Sequence, residues 1–188
     1  SGGVSGNSTS LWATIASNSE LTNFARVIDS CGYRASLDGD QVFSVFAPTN
    51  AGFSSTQADS VITLYEQEKR SGVITKDNKA VKEFLQNHIA LYNYSVAASG
   101  QDTAIVMMNG KYLTLGNASF DGRPLLTKNQ LTRNGVLFTM KGTAEYKPNI
   151  FEYLSRDASL DSLSNFLYSY NVYEFDPNQS VPGEIVDG

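Results

Sequence analysis

The spacing of apolar residues changes character partway along the chain, and that change limits the fold more than any single motif does. Up to about His88 the spacing is mostly helical. Leu21, Phe24, Ala25, Val27 and Ile28 stripe a helix expected from Ser19 to Cys31, and Ala80, Val81, Phe84, Leu85 and His88 stripe another that Asp77 would cap. From Thr103 the pattern shortens to strands separated by turn pairs. Ile105-Val106-Met107-Met108 and Tyr112-Leu113-Thr114-Leu115 flank Asn109-Gly110, the strongest short-range hairpin signal, and Asp121-Gly122 and Asn134-Gly135 mark further turns. Helices early and strands late give an α+β fold, not alternating βαβ units.

Several elements follow from local chemistry. Ser10 or Thr9 can cap a short helix opening at Leu11. Val42 to Ala47 is β-rich and reads as a buried strand ended by Pro48. Thr49 to Phe53 reads as a turn of helix with Thr49 or Asn50 as its N-cap, and Phe53 as the anchor to the core. Asp59 to Arg70 is helical, Leu125 to Leu131 a strand, and Val136 to Tyr146 a long strand with Val136, Phe138 and Met140 on one face.

Composition narrows the chemistry. With 41% hydrophobic and 18% charged residues over 188 positions, the chain can bury a core without staples. Fourteen basic against nineteen acidic residues leave a net charge of −5, so nucleic acid is not the expected partner. One cysteine and one histidine exclude an internal disulfide and a Cys/His zinc site. No apolar run approaches the ~20 residues of a membrane helix. Nucleophile-elbow, P-loop and dinucleotide-binding patterns are missing, so neither a cofactor nor an enzymatic activity is expected. Cys31, one residue before Gly32, reads as a small buried group, and Asp38-Gly39-Asp40 as a turn without the ligands of a calcium loop.

The two ends differ from the middle. Residues 1–10 are Gly- and Ser-rich and read as a linker or an expression scar. Near the other end, Leu11-Trp12-Ala13-Thr14-Ile15 recurs in type as Ile150-Phe151-Glu152-Tyr153-Leu154, a shift of 139 positions. At the same shift Leu21 meets Leu160, Phe24 meets Leu163, Val27 meets Phe166 and Ile28 meets Leu167. Two unrelated amphipathic helices could match this way, but seven apolar coincidences favour a repeat. The expected organisation is a linker (1–10), one whole unit (11–148) and the truncated start of a second (149–188).

Three stretches in order carry a family resemblance. Val45-Phe46-Ala47-Pro48-Thr49-Asn50-Ala51-Gly52-Phe53 is similar to the first motif of the fasciclin-type (FAS1) domain, with Gly52 in place of the usual Ala. Phe84-Leu85-Gln86-Asn87-His88-Ile89 is similar to its central Leu-Tyr-His segment, with Asn87 in the Tyr position. Asn134-Gly135-Val136-Leu137-Phe138-Thr139-Met140 is similar to its closing strand, with Phe138 where many members have His. The resemblance implies a FAS1-like β-sandwich or wedge with a helical layer. It points to Phe46, Ala47, Pro48, Thr49, Asn50, Phe53, His88, Asn134 and Gly135 as the motif residues.

The function the resemblance implies is a non-enzymatic adhesion or interaction module, extracellular or in a cell envelope, with a protein, matrix or glycan partner. The missing cysteine pair leans toward a bacterial surface or periplasm, with a lipid anchor upstream as an option. His88 is expected to be a structural, hydrogen-bonded residue. The alternative is a glycan- or small-ligand-binding module, for which exposed aromatic rings are the feature to find. Tyr92 and Tyr94 are the leading candidates, with Tyr112 and Tyr146 behind them.

Overall fold

The computed structural model describes residues 9–96, 100–149 and 152. A helical layer comes first. It contains α1 (Leu11–Ala16), a 3-10 turn (Ser19–Leu21), α2 (Thr22–Ser30), α3 (Arg34–Leu37), α4 (Ser55–Arg70), a π-helix (Ala80–Leu85) and a 3-10 turn (Gln86–His88). The strands are β1 (Phe43–Pro48), β2 (Ile89–Ala90), β3 (Thr103–Val106), β4 (Tyr112–Leu115), β5 (Ser119–Phe120), β6 (Arg123–Thr132) and β7 (Gly135–Met140).

The strand order is β2-β1-β7-β6-β5-β4-β3, antiparallel except for the β1–β7 pair. The two ends of this sheet meet. Ala90 bridges Met107, Met108 N–H donates to Ile89 O at 2.7 Å and Leu91 N–H donates to Val106 O at 3.2 Å. That contact covers backbone groups that an open edge would leave exposed. The ten-residue β6 makes the bend possible: its start pairs with β5, the rest with β7, and its register with β7 shifts twice between Leu125 and Gln130.

Strand alternation then divides the core in two. Phe43, Val45 and Ala47 of β1 and Leu137 of β7 join Leu11, Phe24, Ile28, Val61 and Phe84 of the helical layer. On the other face Phe46, Val136, Phe138 and Met140 fill the folded sheet with Ile105, Leu115 and Phe120. Phe46 stacks on Phe120 at 4.0 Å and on Phe138 at 4.5 Å. An apolar ring at Phe138 suits this aromatic stack, which a histidine would enter only with a polar edge to satisfy.

Four local expectations are corrected. The stretch Thr49 to Phe53 is a turn, not a helix; the helix starts at Ser55, because Ser54 and Gln57 form a complete capping box. The next helix is capped by Asn78, whose Oδ1 accepts from Ala80 N–H at 3.0 Å, not by Asp77, which lies in a 3-10 turn. That helix is a π-helix ending at Leu85, and His88 follows in a separate 3-10 turn. The long strand from Val136 ends at Met140: beyond it, side chains take the backbone amides, His88 that of Ala144 and Asp121 that of Glu145. Residues 1–8 and those after 149 other than Glu152 lie outside the described set, and with them most of the linker and of the second unit.

Candidate functional site

The first motif builds a joint between sheet and helices. Phe46 and Ala47 are fully buried, and Pro48 closes β1 opposite Met140. Neither Thr49 nor Asn50 caps a following helix. The Thr49 backbone donates to Met140 O at 3.1 Å, while its hydroxyl oxygen is buried without a partner among the described residues. Asn50 caps backwards instead. Its Oδ1 accepts from Asn23 N–H at 3.1 Å in the first turn of α2, a helix whose own N-cap, Leu21, offers no side chain for the task. Its Nδ2 donates to Thr22 Oγ1 at 2.9 Å and to Ser19 O at 3.2 Å. Asn23 returns a bond to Phe53 O at 3.0 Å. A Cβ on Gly52 would lie 2.5 Å from the Gly142 backbone nitrogen, so this close approach admits no side chain at Gly52.

The closing motif ties the opposite end. Asn134 is buried; its Oδ1 accepts from Leu11 N–H at 2.8 Å and its Nδ2 donates to Leu37 O at 2.9 Å. One side chain thereby joins α1, α3 and the β6–β7 turn. Gly135 has φ +151°, and a Cβ there would sit 1.9 Å from Phe43 O.

His88 is fully buried. Its Nδ1–H donates to Phe84 O at 2.8 Å, and its Nε2 accepts from Ala144 N–H at 2.9 Å. Both ring nitrogens are used, and the pairing requires the neutral ring. Phe84 lies at 4.7 Å and Phe24 at 5.8 Å from it, and Phe53 stacks on Phe84 at 5.0 Å. Burial pushes the imidazole down to about 4. Cys31 is also buried; burial, with Glu66 nearby, pushes its thiol up to about 12. Neither group is placed to act as a base or nucleophile on a soluble substrate. Among the described residues no cluster of His, Cys, Asp and Glu is placed to hold a metal, and no helix is long and apolar enough to cross a membrane.

The tyrosines stand apart from this core. Tyr92 is 61% exposed, Tyr94 is half-buried, and their rings meet edge to face at 6.3 Å. The loop that carries them is fixed from below. Ser44 Oγ of β1 donates to Tyr92 O at 2.6 Å and accepts from Tyr94 N–H at 2.8 Å. Asn129, in the irregular part of β6 with φ +56°, accepts from Val96 N–H at 2.9 Å and donates to Val96 O at 2.8 Å. Tyr94 also lines a cleft of about 220 Å³ with Val96, Gln101, Thr103, Ile105 and Leu115 among its walls. Sequence reasoning found the tyrosines but not the cleft, whose walls come from distant stretches. Tyr112 is exposed on β4, whereas Tyr146 is buried with its hydroxyl donating to Glu152 at 2.7 Å.

A model of the fasciclin domain matches residues 19–142. Stabilin-1 of Mus musculus is 27% identical over 136 residues, covering 68% of this chain and 5% of that protein. Stabilin-1 of Homo sapiens is 26% identical over the same length and shares. The chain thus spans about 5% of the length of these relatives. A FAS1 domain pair from the insect cell adhesion molecule fasciclin I aligns over 73% of this chain and 51% of that one, with a TM-score of 0.48 and 14% identity.

Proposed function

The chain belongs to the fasciclin domain family, and from that premise we propose that it is a non-enzymatic interaction module that binds a protein or matrix partner outside the cell. Fasciclin domains are associated with cell adhesion and extracellular interaction, and the family is generally non-catalytic. The family match carries the reading. Burial of the one histidine and the one cysteine agrees with it, because the two side chains best suited to covalent or acid–base chemistry are withdrawn from solvent. The test is saturable binding of the chain to immobilised matrix proteins. A surface that binds none of them, while the chain retains its fold by circular dichroism, speaks against the reading.

A second reading rests on its own observation. The Tyr92–Tyr94 pair beside the cleft offers ring faces next to an uncharged, half-open wall, which suit the C–H face of a sugar. The cleft is smaller than the ~300–1,000 Å³ of drug-sized sites, so it would take a single ring. Binding of neutral glycans that is lost in a Tyr92→Ala, Tyr94→Ala variant would select this reading over a protein partner.

A further inference from the structure

Lys82, Lys111 and Tyr146 converge on one carboxylate that arrives from beyond the domain. Glu152 accepts from Lys111 Nζ at 2.8 Å, from Lys82 Nζ at 3.0 Å and from the Tyr146 hydroxyl at 2.7 Å. These donors come from the π-helix, the β3–β4 turn and the chain leaving β7. They are held together from below. Asn109 Nδ2 donates to Lys82 O at 2.9 Å and to Asn87 Oδ1 at 3.1 Å, and its Oδ1 accepts from Lys111 N–H at 3.0 Å. Lys111 also sits over the Tyr146 ring at 5.2 Å. The turn that the sequence marks as a hairpin thereby also builds a socket for an anion.

What occupies the socket is the first turn of something new. Asn149 Oδ1 accepts from Glu152 N–H at 2.8 Å, and Glu152 Oε1 accepts from Asn149 N–H at 2.9 Å, a reciprocal capping box. Ser10 plays the same part at the start of α1, accepting from Ala13 N–H at 3.1 Å. Ser10 and Asn149, and Ala13 and Glu152, are each 139 positions apart, the shift at which the apolar residues of the two stretches coincide. The caps fall into register with the apolar match although capping geometry played no part in finding it.

We propose that the Lys82–Lys111–Tyr146 socket is the interaction surface that seats the segment opened by Asn149 on the first unit through Glu152. The carboxylate at the third helical position is the added feature: the first unit has Ala13 there. Glu152 serves both as a cap within its own segment and as the anion of the joint, so forming the helix start and docking it are one event. The chain leaving β7 is thereby held on the first unit at Glu152 instead of leaving it as a free linker.

The test uses the 188-residue chain and two variants, Glu152→Ala and the double variant Lys82→Met, Lys111→Met, which keeps the apolar stems. In the parent, residual dipolar couplings of residues 11–148 and those of Asn149 and Glu152 fit one alignment tensor. Each variant is expected to reduce the couplings at positions 149 and 152 by at least half and to speed amide exchange at Asn149 at least tenfold, with exchange at Ala13 unchanged. If Glu152→Ala has these effects and the double lysine variant does not, the capping box acts alone and the socket is overturned. Equal couplings in parent and both variants overturn the joint altogether. Loss of the first unit's own couplings in the double variant would make the lysines part of its core, which also overturns the proposal.

Discussion

His88 and Tyr92 lie four residues apart at the same turn from helix to sheet, and they have opposite fates. His88 is wholly buried with both ring nitrogens bonded to backbone, while Tyr92 projects into solvent from a loop that the buried Ser44 pins beneath it. The residue whose chemistry draws the eye does structural work, and the residue with a plain phenol ring is the one a partner can reach. The family motifs thus mark the joints of the scaffold, and the surface available for recognition begins where they stop.

The scaffold side of this contrast is the easier to break, and Gly135 should break it most. A methyl group there would overlap Phe43 O at the start of the parallel β1–β7 pair. Gly135→Ala is expected to cost more than ~4 kcal/mol, or to prevent folding, because backbone cannot yield as a side-chain tip does. Urea unfolding would show it; a midpoint within error of the parent would mean that the strand pair is not held at this distance.

His88→Ala comes next, at about 3–5 kcal/mol. It opens a cavity beside Phe24 and Phe84 and removes the hydrogen bonds of the ring to Phe84 O and Ala144 N–H. The same residue gives a pH signature. Its folded pKa of about 4 lies below the ordinary 6.5, so the unfolded chain takes up the proton first. His88's contribution is therefore complete above about pH 6.5 and is lost as pH falls toward about 4, a change of roughly 3 kcal/mol in stability. Denaturant midpoints measured across that window should fall in the parent and flatten in the variant. Glu152 acts in a separate window: burial alone would raise its pKa, but Lys111, Asn149 N–H, Tyr146 and Lys82 hold it well below the ordinary carboxylate range. Its contribution is full above about pH 4.5 and declines only below that.

Asn50→Ala should cost less, about 1–2 kcal/mol, and its effect should localise. Faster amide exchange is expected at Asn23, whose N–H loses its acceptor, and not at Gln57, which is capped by Ser54. The reverse pattern would restore the forward-capping role that the sequence suggests. That error shows what a sequence exposes and what it hides. Periodicity and turn chemistry made the α+β order, the Asn109-Gly110 and Asn134-Gly135 turns and the buried strand before Pro48 legible, because each depends on neighbours in the chain. Asn50 to Asn23, Asn134 to Leu11 and His88 to Ala144 depend on partners far away, and residue type alone does not choose among distant amides. The end of β7 is hidden for the same reason: small or apolar residues alternate on through Gly142, Ala144 and Tyr146, but the side chains of His88 and Asp121 take the amides that a strand partner would need. The tyrosines could be named from sequence, yet their edge-to-face pairing and the adjoining cleft need the loop that Ser44 and Asn129 hold in place.

Tyr92→Ala is the smallest perturbation of stability and the sharpest test of the contrast. The ring is mostly in water and its hydroxyl bonds no buried group among the described residues, so unfolding free energy should change by less than ~0.5 kcal/mol. Removing it nevertheless deletes one wall of the aromatic pair while Ser44 continues to hold the backbone beneath. If the surface beside the cleft is the recognition face, binding to a neutral glycan panel should weaken at least tenfold with the denaturation curve unchanged. A matrix-protein partner that binds parent and variant alike would leave Tyr92 exposed for no recognition purpose and move the search to other exposed surfaces of the scaffold. A loss of stability comparable to that of His88→Ala would erase the distinction, because Tyr92 would then support the fold as His88 does.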